Sequence, residues 1–153
     1  MCGLPGAGKT TVAKQIERDA LALRLTPDEW MTPLYGETIC EPGTLDRWGD
    51  AHDRVEVIQW HVAERALRLG INVVLDFGVW SRKEREDFRT RAAEAGARSE
   101  LIFVDAPLDV LKQRVESRNQ IPEQRAYPIT PTDLEEWSTL FQPPTEEELT
   151  PRD

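Results

Sequence analysis

Gly3, Gly8, Lys9 and Thr10 stand at the offsets of a phosphate-binding loop, in the segment GLPGAGKT: glycine, four residues, glycine, lysine, hydroxyl residue. Such a loop wraps a triphosphate in backbone N–H groups at close range, which the missing Cβ of Gly3, Gly6 and Gly8 permits. Pro5 and Ala7 complete the cradle. Lys9 reaches the β and γ phosphates as a point charge, and the Thr10 hydroxyl is the expected ligand of Mg²⁺, with Thr11 beside it. A helix beginning near Lys9 turns its positive end toward the anion. The chemistry indicated is binding of ATP with Mg²⁺.

GTPases, motors and small kinases share this loop, so other residues must choose among them. Asp76 ends the apolar run VVLD, which puts a carboxylate at the carboxyl edge of a sheet, where ligands bind in open α/β folds. It can hold a Mg²⁺ water opposite Thr10, or simply cap a turn. Asp28 follows the segment LALRLT at a second carboxyl edge and can accept the proton of an attacking hydroxyl. Glu29 competes for that role, and an acidic residue in the first turn of a helix also serves the helix dipole. Arg114 and Arg118, four apart at the end of one helix, suit the charge of a transferring phosphoryl group; compensation of the helix dipole is their other use.

The elements that must position these groups follow from periodicity. Val12, Ala13 and Ile16 recur at helical spacing from Lys9 to about Ala20. Leu21 to Thr26 reads as a short strand, Pro27 to about Leu34 as a short helix capped by Thr26, and Tyr35 to Gly43 as a loop. Trp48, Ala51, Val55, Ile58, Val62, Ala66 and Leu69 form one apolar stripe on a helix from about Asp46 to Leu69, ended by Gly70. Ile71 to Phe77 is the strongest strand, of the kind buried on both faces of a parallel sheet. Ser81 with Glu84 makes a capping box for a helix to about Ala95, closed by Gly96. Leu101 to Val104 is a further strand, Pro107 to about Arg118 a helix, and Thr130 caps a last helix through about Phe141. Gln142 onward reads as an ordered tail at best.

Strands alternating with helices imply an α/β fold: a doubly wound parallel sheet of the P-loop NTPase type, three-layer αβα, in one domain over residues 1–153. A lid covers about 114–129 and an acidic tail about 142–153. A phosphate loop normally follows a buried strand, and here only Met1 and Cys2 precede Gly3. The expectation is that about five to ten further apolar residues precede them in the natural chain.

With 153 residues the length fits one domain that buries a core without staples. The net charge of −9 argues against a general grip on nucleic acid. Local basic clusters stand against that balance: Arg82, Lys83, Arg85, Arg89 and Arg91, and again Lys112, Arg114, Arg118 and Arg125. Glu135, Glu136 and Glu146 to Glu148 read as a solvated face. No apolar run approaches a membrane span, and the expected compartment is the cytoplasm. Cys2 and Cys40 have no metal-like spacing and are expected to stay reduced. Trp48 lies on the stripe and reads as core, Trp30 and Trp80 line an acceptor pocket or pack strand-helix turns, and His52 and His61 read as surface residues.

The segments GLPGAGKTT, TPDEW, NVVLDFGVWSRKERE and DAPLDVLKQRVESRN resemble the P-loop kinase family that includes zeta-toxin-like kinases, chloramphenicol phosphotransferase and the kinase domain of polynucleotide kinase, often labelled AAA-family ATP-binding proteins. The resemblance covers nearly the whole chain. It implies that Asp28 is the base for the acceptor hydroxyl, that Asp76 belongs to the metal and substrate shell, and that Arg114 and Arg118 are lid arginines. Polynucleotide kinases carry an arginine shortly after the base, where this chain has Met31; with the acidic balance this disfavours a polynucleotide acceptor. The missing first strand and the lack of a clear last strand are further departures. The expected activity is transfer of the ATP γ-phosphate to a hydroxyl of a small molecule by Lys9, Asp28, Arg114 and Arg118. The alternatives are a nucleotide-dependent switch without an acceptor, and a polynucleotide 5′-hydroxyl kinase.

Overall fold

The structure is a computed structural model that describes residues 1–121 and 127–152. The middle of the expected lid, including Arg125, lies outside the described residues. Helix α1 (Lys9–Asp19) starts at the phosphate loop and leads to strand β1 (Leu23–Leu25) and helix α2 (Pro27–Tyr35). A 3₁₀ turn over Glu37–Cys40 precedes the long helix α3 (Leu45–Arg68), strand β2 (Val73–Leu75) and helix α4 (Arg82–Glu94). Helices α5 (Leu108–Asn119), α6 (Pro131–Leu140) and α7 (Glu146–Leu149) follow.

β1 and β2 pair in parallel with Leu23 opposite Val73 and Leu25 opposite Leu75. Side chains of β2 alternate between faces. Val74 packs with Ala13 and Ala22 against α1, whereas Val73, Leu75 and Phe77 pack with Trp60, Ala63 and Phe88 against α3 and α4. Helices therefore cover both faces of the sheet, as the α/β reading requires.

The continuous doubly wound sheet expected from the sequence is not what forms among the described residues. Named strands number two, and residues 1–2 extend them by bridges: Cys2 lies parallel to Gly78 on one side and to Phe103 on the other. Cys2 N–H donates to the Ile102 carbonyl at 2.8 Å and Val104 N–H to the Cys2 carbonyl at 2.9 Å. Leu101 to Val104 thus pairs with Cys2 through a single bridge at Phe103 rather than as the expected strand. β1 and β2 are also shorter than Leu21 to Thr26 and Ile71 to Phe77: Leu21 turns into positive φ (49°), and the chain leaves the ladder after Asp76 N–H reaches the Leu25 carbonyl.

Capping signals hold. Ser81 and Thr130 each accept from the third backbone N–H of their helix and receive the reciprocal carboxylate bond, and Gly70 and Gly96 take positive φ just past α3 and α4. Thr26 precedes α2 with Pro27 at its first position, yet makes no side-chain cap, because its hydroxyl is engaged by Arg24 and Asp76.

The buried face of α3 is rotated away from the expected stripe. Ala51, Val55 and Ala66 are inside with Gln59, Trp60 and Ala63, whereas Ile58, Val62 and Leu69 are exposed. β1 and β2 cover the Trp60 and Ala63 side of the helix, and nothing among the described residues covers the other edge of the stripe.

Glu135, Glu136, Glu146 and Glu147 are exposed as expected, but the C-terminal segment is docked through Glu148. Glu148, expected on an exposed acidic face, is 1% exposed and bonded through Oε1 to Arg85 Nε at 2.7 Å. Arg85 also donates to the carbonyls of Trp80 and Gln142, and Arg89 to the Glu148 carbonyl. Two members of the apparent basic patch are therefore internal struts. Arg152 closes an antiparallel bridge with Ser99. Each charge of the Arg85–Glu148 pair depends on the other, since an unpaired buried ion is strongly destabilising. Among the described residues neither Cys2 nor Cys40 is in a disulfide.

Candidate functional site

The phosphate loop is shaped by contacts on its protein side as much as by room for a ligand. A Cβ at Gly3 would lie 2.1 Å from the Val104 carbonyl oxygen, so this glycine is required by the neighbouring chain segment and does not itself reach the cleft. Gly8 has open space around it but sits at φ 105° as the N-cap of α1, a conformation that glycine adopts freely. The amides of Gly6, Gly8, Lys9 and Thr10 donate to no acceptor among the described residues, leaving a cluster of N–H groups at the positive end of α1.

Pro5, Ala7, Lys9, Thr10 and Thr11 line a cleft of about 1880 Å³, large enough for a nucleotide together with a second molecule. Lys9 donates to the Leu4 carbonyl at 3.0 Å and is largely buried; burial lowers its pKa, opposed by the carboxylates of Asp76 and Asp28. Gly78 leaves it space, since a Cβ there would stand 3.1 Å from Lys9 Cε.

Asp76 is 6% exposed and joins the cleft from the end of β2. Its Oδ2 accepts from the Thr26 hydroxyl at 3.3 Å, and Oδ1 has no hydrogen-bond partner. Burial raises its pKa, while the Thr10 hydroxyl, the Lys9 ammonium and the chain's amino group pull it down. A buried carboxylate oxygen without a partner, beside a hydroxyl at the head of a phosphate loop, fits Mg²⁺. Among the described residues no group of three His, Cys, Asp or Glu side chains could cage a metal, so phosphate oxygens and water must complete the shell, as Mg²⁺ commonly requires.

Asp28, in the first turn of α2, projects into the same cleft and is about half exposed. Its charge is felt at Lys9 and at Arg118. Glu29, the competing carboxylate, is engaged by Arg24 at 3.0 Å, which leaves Asp28 as the available one. Arg118 lines the cleft, donates to the Tyr127 carbonyl at 3.5 Å and has its pKa lowered by burial. Arg114 also lines the cleft, and its Nη1 donates to the Gly6 and Ala7 carbonyls at 3.1 and 3.3 Å, so it braces the phosphate loop.

The wall opposite the phosphate loop was not visible in the apolar stripe. Trp48, His52, Glu56 and Trp60 follow one another at spacings of four along α3 and all line the cleft. His52, read as a surface residue, is 17% exposed, stacks on Trp48 at 4.6 Å between ring centroids, and stands 3.6 Å from both Asp28 Oδ1 and Glu56 Oε1. Burial lowers its pKa against the pull of Asp28 and Asp53. Glu56 is pushed up to about 8 by burial and by the charges of Asp53, Glu84 and Asp28. The spacing of four was the available signal. Trp80 reaches the cleft and also packs on Trp137, whereas Trp30 packs with Met31 and Leu25; His61 is exposed as expected.

No helix among the described residues is long and apolar enough to cross a membrane. A family model described as an AAA domain matches residues 1–144, and the chain belongs to that family of P-loop nucleotide-binding domains, which includes kinases and ATPases. No curated protein matches the chain.

Proposed function

We propose that this AAA-domain protein is a kinase that transfers the γ-phosphoryl group of ATP to a hydroxyl of a small molecule. The observation that carries the reading is the position of Asp28. It is a solvent-reachable carboxylate in the same cleft as the phosphate loop, close enough to Lys9 and Arg118 for its charge to act on both. A hydrolysing switch needs no such group facing a second compartment of the cleft.

In this reading the free amides of Gly6, Gly8, Lys9 and Thr10 hold the polyphosphate, and Lys9 leaves the Leu4 carbonyl for the β and γ oxygens. Thr10 and Asp76 would hold Mg²⁺, which supplies charge neutralisation between the β and γ phosphates when bound. Asp28 accepts the proton of the acceptor hydroxyl as its oxygen bonds to the γ phosphorus. The bond from that phosphorus to the β–γ bridging oxygen breaks, and ADP leaves. Arg118 stabilises the charge spread over the γ oxygens, and Arg114 keeps the loop in shape.

Among the kinases that the chain resembles, a small acceptor is favoured over a polynucleotide end. Met31, standing where polynucleotide kinases carry an arginine, is 1% exposed and packs against Ile39 and Val55, so nothing at that position offers a cation to a substrate phosphate. The test is incubation with Mg²⁺ and ATP against a pool of hydroxylated metabolites and antibiotics, with mass spectrometry of the products. A phosphorylated acceptor that disappears with Asp28→Asn supports the reading; tight ATP binding with no product from any acceptor would favour the switch.

A further inference from the structure

The two ends of the cleft differ in sign. Lys9, Arg114 and Arg118 gather at the phosphate loop, whereas the far wall presents Asp28, Asp53 and Glu56 from α2 and α3, with Glu84 at the start of α4. His52 is the one basic group set among the first three, and at 3.6 Å it closes a hydrogen bond with neither Asp28 nor Glu56. Other charges nearby are already used: Arg91 pairs with Asp87 at 2.8 Å and covers Trp60 and Phe88, and Glu84 accepts from the Trp80 and Ser81 amides. The wall therefore carries more acidic groups than cations, and burial disfavours the charged form of His52.

Aromatic faces frame it. Trp48 and Trp60 bracket His52 and Glu56 along α3, and Trp48 stacks with His52 and lies 5.6 Å from Tyr127. With the Trp60 ring covered by Arg91 and the Trp48 ring stacked on His52, the groups this wall offers a ligand are its carboxyls, which suit an ammonium group. The same cleft keeps the buried Asp76 with an oxygen that has no partner, so the site as a whole is built for a ligand.

Resting on the kinase reading, we propose that the acceptor is a hydroxyl compound carrying a protonated amine, its ammonium seated at Glu56 beside His52 while its hydroxyl faces Asp28. The amine supplies the missing counter-charge and orients the hydroxyl toward the phosphate loop. An acceptor that is itself anionic meets Asp28 and Asp53 and is turned away. Seating the ammonium also drives the proton off Glu56, whose carboxyl is held protonated by burial and by Asp53, Glu84 and Asp28. Binding is therefore accompanied by proton release.

The experiment is calorimetric titration of the full chain, without nucleotide, using ethanolamine, glucosamine and streptamine, each against its neutral counterpart ethylene glycol, glucose and scyllo-inositol. At least one amine is expected to bind ten-fold or more tightly than its counterpart, with proton release near pH 7 seen as a buffer-dependent heat. Glu56→Gln, checked as folded by circular dichroism, is expected to remove both the preference and the proton release. Should that variant misfold, the buffer-dependent heat of the native chain still decides. A panel in which no amine outbinds its counterpart, or a preference that survives in folded Glu56→Gln, overturns the assignment. Native chain that binds Mg²⁺ and ATP yet shows no amine preference sinks the acceptor class alone; failure to bind Mg²⁺ and ATP sinks the kinase reading itself.

Discussion

The Thr26 hydroxyl donates to Asp76 Oδ2 at 3.3 Å, tying together the carboxyl ends of the two paired strands. Arg24 donates to the same hydroxyl and is itself held by Glu17 and Glu29, so Asp76 is oriented through a chain of charged and polar partners rather than by one contact. Thr26→Val keeps the shape and removes the donor. ATP affinity measured with Mg²⁺ is expected to fall roughly ten-fold, in the range seen on loss of a bond to a charged group, with little change when Mg²⁺ is withheld. Equal loss in both conditions would show that Asp76 is not acting through the metal.

Gly78 occupies φ 78° with Lys9 Cε 3.1 Å from where its Cβ would be. Gly78→Ala is expected to cost about 1–2 kcal/mol in urea unfolding through the backbone alone. Because Lys9 must also move, ATP affinity is expected to drop roughly ten-fold at temperatures where the variant is still folded. Undiminished ATP binding by that variant would remove Gly78 from the account of Lys9.

Asp28→Asn retains size and polarity but cannot take a proton. Phosphoryl transfer is expected to fall by roughly 10² to 10⁴, with the affinity for ATP within a few-fold of native. Transfer at the native rate would exclude Asp28 as the base.

Arg85 and Glu148 are each fully buried, so Glu148→Ala leaves a guanidinium without its partner. The expected loss is about 3–5 kcal/mol in equilibrium unfolding. A variant within about 1 kcal/mol of native would mean that water or another carboxylate replaces the pair.

Two carboxyl groups set opposite slopes of stability against pH. The Arg85 guanidinium holds Glu148 at about 2, below its ordinary 4.5, so its contribution is complete above 4.5 and is lost as pH falls through 2. Glu56 is raised from 4.5 to about 8, so the folded chain keeps a proton that the unfolded chain gives up, and stability falls as pH rises across that window. Urea unfolding is expected to show a loss of roughly 2–4 kcal/mol from pH 5 to pH 8 that Glu56→Gln flattens. A native profile flat over that range would contradict the buried environment of Glu56.

What was legible in the sequence was local. The phosphate loop, the boxes at Ser81 and Thr130 and the glycines at 70 and 96 are set by residues within a few positions of one another, and each appears where expected. Pairings over long separations were not legible. Arg85 and Glu148 lie 63 residues apart, and composition alone assigned one to a basic patch and the other to a solvated acidic face. The pairing of Leu101 to Val104 with Cys2 is a single bridge at Phe103, which periodicity within that segment does not encode.

The cleft shows the same division. Asp28 and Asp76 line the cleft at positions legible as strand ends, but the part of α3 in lining it was hidden by its own hydrophobic pattern. Trp48 packs against the core as the stripe indicated, whereas the exposure of Ile58 and Val62 shows that the helix is turned toward Gln59 and Ala63, which brings His52 inward. Arg114 satisfied the spacing rule for a lid arginine, and only the position of the loop carbonyls shows what it touches.

Because one guanidinium grips the carbonyls of Trp80 and Gln142 and the carboxylate of Glu148 at once, the far end of the chain and a wall of the cleft share a single anchor. Loosening residues 142–148 transmits directly to the turn that carries Trp80, so a change well outside the phosphate loop can alter the shape of the cleft.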